Sequence, residues 1–170
     1  ALSFAQFGAF WTVMVLLLSD KPFEYSSAQI GLFGLVGACG AFAAPVVGKL
    51  GDKGDSSKVV FYGGILMLLS FIVFYFSAES IFGMILGIVF IDLGLQAIHV
   101  SNQTRIYSML PEARNRLNTV FMSFSFLGTA IGSAFGLWLW NLDKWNALTI
   151  GCGMLAIVSL IIYFLTRSVK

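Results

Sequence analysis

Four residues able to exchange protons or hydrogen bonds recur at one spacing inside a strongly apolar stretch: Asp92, Gln96, His99 and Gln103, separated by four, three and four positions. At 100° per residue they fall within about 40° of one another on a helix, forming one polar stripe. Asp92 is the carboxylate that lies well inside a long apolar run. A charge at the centre of a bilayer costs about 2.5–3.5 kcal/mol on insertion scales, so such a stripe must face a protein interior or a wet cavity. Two readings follow: a substrate contact or protonatable site, or an inter-helix hydrogen bond that fixes packing. Asp92 and His99 stand about 10 Å apart along the axis and would not touch. His99 has no histidine or cysteine partner at ligand spacing, which argues against a metal site. No serine-histidine-aspartate spacing, GxGxxG turn or phosphate loop is present, so the sequence suggests neither an enzyme nor a cofactor. Nor does it suggest a nucleic-acid partner.

The segments that must position these groups are membrane-like. The chain is 58% hydrophobic and 11% charged, with a mean hydropathy of +0.90, against roughly 25% charged residues in a soluble domain. Six apolar runs predict six transmembrane helices in a single unit over 1–170, at about 1–19, 28–50, 58–77, 80–102, 116–141 and 145–166. Each is of the order of the roughly 20 residues needed to cross the hydrocarbon core. Runs this continuous lack the alternation of a barrel strand, leaving the all-α membrane class. With six crossings, Lys49, Lys53, Lys58, Arg105, Arg114, Arg116, Arg167 and Lys170 collect on one side. The other side holds Lys21 and Lys144 beside Asp20, Glu24, Glu79 and Asp143. The positive-inside bias then puts both termini in the cytoplasm, in the inner membrane. Trp138, Trp140 and Trp145 crowd an opposite turn, where indoles favour the headgroup level. Cys39 and Cys152 lie within apolar runs and read as small core residues. The chain opens on alanine inside an apolar run with no signal peptide, as a piece of something longer would.

The six segments are not equivalent. The third and sixth are almost free of polar groups and can face lipid on several sides. The second carries Gly31, Gly34, Gly37 and Gly40 before Pro45, and the fifth carries Gly128, Gly132 and Gly136. Such small residues let helix backbones approach closely. The fifth also presents Asn118, Ser125, Thr129 and Ser133 within about 80° of arc. These hydroxyls either line a cavity or bond back to the i−4 carbonyl. In the first, Gln6 with Phe4, Phe7, Phe10 and Trp11 either lines a hydrophobic cavity or packs as core.

Two charged loops add a resemblance. Between the second and third segments runs Gly48-Lys-Leu-Gly-Asp-Lys-Gly-Asp-Ser-Ser-Lys58. Gly48, Leu50, Asp52 and Lys53 match the loop signature G-x-L-a-D-R-x-G-R-R of the major facilitator superfamily, with Ser56 and Ser57 standing where that signature has its basic pair. Before the fifth segment, Pro111-Glu112-Ala113-Arg114-Asn115-Arg116 resembles the P-E-x-x-x-R pattern of the same superfamily. The chain is similar over essentially its whole length to the C-terminal six-helix half of such a transporter, and Asn102 to Gly136 resemble drug or sugar exporters.

The resemblance implies two inverted three-helix repeats within the half, with first and fourth helices lining a midplane cavity. It implies transport of a small molecule by alternating access, as a proton-coupled efflux permease or antiporter. Asp92, Gln96, His99, Gln103, Gln6 and Asn118 would form the substrate or proton site. Asp52, Lys53, Arg105, Glu112 and Arg116 would form a cytoplasmic gate, with Asp52 latching one conformation. The partners implied are the lipid bilayer, the substrate and protons, and either an N-terminal half or a second copy of this chain. The alternative is a non-transporting six-helix scaffold or assembly partner.

Overall fold

The computed structural model describes the backbone of residues 1–50 and 56–167 and the side chains of 1–38 and 56–166. The described chain is helical: α1 (Leu2–Ser19), α2 (Ser27–Leu50), α3 (Ser56–Phe76), α4 (Ile81–Met109), a single 3-10 turn (Pro111–Ala113) and α5 (Arg114–Arg167). Four of these (α1, α3, α4 and α5) are long and apolar enough to cross a membrane, and α2 contributes the shorter apolar helix Ser27–Ala38. The molecule is an all-helical, multi-pass membrane protein.

α5 is not straight. Asp143 (φ −150°, ψ 44°) and Lys144 (φ 48°, ψ −129°) leave helical geometry and divide it into arms 114–142 and 145–167. In a straight helix residues twelve apart would be separated by about 18 Å. Instead, a Cβ built on Gly151 would sit 2.7 Å from Leu139 Cδ1, so the chain doubles back at this turn. The first arm runs alongside α1 in the same direction, with Gly128, Gly132 and Gly136 set against Ala1, Ala5 and Ala9. At Gly132 a Cβ would collide with the Ala5 carbonyl, so absence of a side chain is what permits the approach. α3 and α4 pack antiparallel, Gly63 against Gly94 and Phe74 against Gly87.

α1 is the most enclosed element, with Ala9, Phe10, Val13 and Leu18 fully buried. At its centre Phe10 stacks on Phe74 at 4.4 Å between ring centroids, and Trp145 meets Phe74 edge-on at 5.8 Å. Trp145 corrects the sequence expectation. Rather than lying at the headgroup level it is buried, and its indole N–H donates to the Phe74 carbonyl at 2.9 Å. The last turn of α3 supplies the buried acceptor. Trp138 remains exposed, and Lys144 Nζ sits 4.7 Å over the Trp140 ring.

α4 runs on to Met109, beyond the expected end near 102. Nothing between Asn102 and Met109 breaks a helix, whereas Pro111 pushes the residue before it out of helical geometry, and Leu110 adopts φ −142°, ψ 82°. At the other end the Ser80 hydroxyl caps α4 by accepting from the Gly83 N–H at 3.3 Å.

Candidate functional site

The stripe on α4 meets a different neighbour at each turn. Asp92 is 9% exposed, and among the described residues its Oδ2 has no hydrogen-bond partner. It lies under α2: a Cβ on Gly37 would stand 3.2 Å from Asp92 Oδ2 and 2.9 Å from the Trp11 ring of α1. The Trp11 indole nitrogen is likewise buried without a partner. An unpaired acceptor and an unpaired donor thus border one spot where α1, α2 and α4 converge. A buried polar atom left unbonded costs about 1–3 kcal/mol.

Gln96 is half-buried one turn on. His99 follows, held between the ring of Phe4 from α1 at 5.2 Å and that of Phe121 from α5 at 5.3 Å. Its Nδ1 is buried and unpartnered. Then Gln103 Nε2 donates to Asn118 Oδ1 at 3.3 Å, and the Tyr107 hydroxyl donates to the same oxygen at 2.6 Å. The structure therefore brings Gln103 and Asn118 together and adds Tyr107, four residues beyond Gln103 on the same face. Sequence reasoning missed Tyr107 because it placed that stretch in a loop; continuing the four-residue step past Gln103 would have found it.

Gln6 goes elsewhere. It is 1% exposed, and its Nε2 donates to Leu2 O at 3.3 Å and to Ser159 Oγ of the second arm at 3.4 Å. The α5 hydroxyls are largely occupied. Ser125 bonds back to Phe121 O at 2.9 Å and Thr129 to Ser125 O at 3.1 Å, while Thr12 donates to Ser133 Oγ at 3.0 Å. Of the gate set, Arg105, Glu112 and Arg116 are exposed near the α4–α5 junction. Asp52 and Lys53 lie outside the described residues. Arg105 stands roughly opposite the Asp92 stripe around the α4 axis at 100° per residue. Among the described residues no group of three or more histidine, cysteine or acidic side chains could hold a metal ion.

This arrangement can bind or release a proton at an enclosed carboxylate and hold polar ligand groups along one helix face. Among the described residues it offers no nucleophile with an adjacent base. The Major Facilitator Superfamily model matches residues 1–170. The uncharacterized transporter YgaY of Escherichia coli O157:H7 is 40% identical over 163 residues, covering 96% of this chain and 41% of that protein. A protein named "Probable transporter SCO4007" of Streptomyces coelicolor is 32% identical over 144 residues, covering 81% of this chain and 33% of that protein. An uncharacterized transporter of Buchnera aphidicola is 27% identical over 148 residues, covering 85% and 35% respectively. The chain thus spans about two fifths of the length of the YgaY relative it matches. With the family model fitting from the first residue to the last, this chain belongs to the Major Facilitator Superfamily.

Proposed function

We propose that this chain is one six-crossing unit of a transporter that moves a small molecule across the cytoplasmic membrane by alternating access. The reversal at Asp143 and Lys144 supports counting α5 as two crossings. The relatives' names support transport as the activity. Transport is proton-coupled and outward, with both termini and the two basic loops in the cytoplasm. The remaining part of a longer chain, or a second copy of this unit, supplies the other wall of the path.

One observation carries the reading: the Asp92 carboxylate is enclosed where three helices meet and its Oδ2 is unbonded among the described residues. A carboxylate serving only to fix packing would be expected to hold a partner across the helix interface. Asp92 takes and gives the coupling proton, Trp11 and Gln96 border the path, and His99, Gln103 and Asn118 continue it toward the basic end. Glu112 and Arg116 belong to a gate there, with Asp52 as its latch. In the full-length protein, Asp92→Asn should abolish transport driven by a pH gradient while expression and detergent solubility stay normal. Undiminished pH-driven transport in that variant would reduce Asp92 to a packing residue, and absence of transport by the unaltered protein would favour a scaffold.

A further inference from the structure

A second polar cavity lies away from the Asp92 stripe, on another face of α4. It has a volume of about 360 Å³ and opens among α1, α3, α4 and the second arm of α5. Ile98, Asn102 and Arg105 line it from α4, at the four- and three-residue steps that keep them on one face. Ser159, Tyr163 and Thr166 line it from the second arm, and among the described residues no acidic side chain lines it.

Its polarity is graded. The deep end is apolar, where Gly64 of α3 closes on the second arm so tightly that a Cβ would stand 2.7 Å from Leu160 Cδ2. The outer end carries Arg105 and Asn102. Three hydroxyls around it are already engaged: Ser159 donates to Leu155 O at 2.8 Å, Thr166 to Ile162 O at 2.8 Å, and Tyr163 pairs with Ser57 at 3.0 Å. The donors left for a ligand include the guanidinium, the Asn102 amide and the Ser3 hydroxyl. A guanidinium offers a fork of N–H groups matched to an oxyanion. The walls are membrane-crossing helices, and the outer end lies beside the polar stretch that leads to the α4–α5 turn. A ligand that fits has an anionic head and an apolar continuation.

We propose that this cavity binds the phosphate group of a membrane phospholipid, with Arg105 and Asn102 donating to its oxygens and the glycerol and first methylenes lying toward Leu160. The site is separate from the proton path and does not depend on it.

The test uses the full-length protein, stripped of lipid and titrated in detergent with phosphatidylglycerol, diacylglycerol or glycerol 3-phosphate, with binding read by native mass measurement. Phosphatidylglycerol should bind and diacylglycerol should not. Arg105→Gln should weaken phosphatidylglycerol binding by about tenfold or more, the usual scale of a lost charge-assisted bond. Arg105→Lys should restore part of that loss through its charge, which separates charge recognition from misfolding. Binding of glycerol 3-phosphate alone with the same Arg105 dependence would keep the phosphate site but assign it to a soluble ligand. Equal binding of diacylglycerol, or phosphatidylglycerol binding unchanged in Arg105→Gln, would overturn the proposal. Because Arg105 lies off the stripe, pH-driven transport by Asp92 can fail its own test without altering this result.

Discussion

Asn118 shows how much one side-chain oxygen can organise. It accepts from Gln103 and Tyr107 at once, tying the polar end of α4 to the start of α5. Inter-helix hydrogen bonds in membranes average about 0.6 kcal/mol, so Asn118→Ala should cost on the order of 1 kcal/mol by removing two. Tyr107→Phe should cost about half as much, and the double variant little more than Asn118→Ala alone, a coupling that unfolding of the four proteins in detergent would reveal. Trp145 and Trp138 make a second contrast. Trp145→Phe strips the Phe74 carbonyl of a buried donor and should lose about 1 kcal/mol. Trp138 is exposed and its replacement by Phe should change stability by less than about 0.5 kcal/mol.

Between elements, the glycines divide by what they face. Gly132 admits the α1 backbone at Ala5, whereas a Cβ on Gly31 or Gly34 would meet nothing within 4 Å among the described residues. Gly132→Ala should therefore destabilise by about 1–3 kcal/mol through overpacking against backbone that cannot yield. Gly31→Ala should cause no loss in the isolated unit, since alanine is the better helix former. Thermal unfolding in detergent compares the two directly. α3 and the second arm also agree with their nearly apolar sequences, exposing Tyr62, Ile72 and Phe76 on one and Met154, Ile161 and Phe164 on the other.

For the whole molecule, the open question is what covers α2 and the first arm of α5. Leu32 and Leu35 on α2, and Phe124, Phe126, Leu127 and Ile131 on α5, are exposed on the two elements that flank the α4 stripe. Lipid can cover the apolar residues, but half-buried Gln96 favours a protein or aqueous neighbour. Expressed alone, the unit should form a parallel homodimer joined near α1, α2, α4 and the first arm, which imitates a two-half architecture. Native mass measurement or crosslinking in mild detergent should show the dimer. A strictly monomeric species would argue that the remainder of the longer chain is the required partner.

The sequence by itself determined the all-helical membrane class, because lipid forces every backbone group to bond within its own segment and so makes apolar runs readable as helices. It also placed Asp92, Gln96, His99 and Gln103 on one face, since that follows from helical period alone. It could not tell which neighbour each would meet. That Asp92 lies under Gly37 and beside Trp11, that Gln6 turns to Ser159, and that Arg105 opens on a separate cavity depend on how helices distant in sequence pack. Trp145 went to the core for the same reason: the carbonyl of Phe74 in the last turn of α3, seventy-one residues away, accepts its indole N–H. Period fixes the face of a helix, but only tertiary packing decides what that face touches.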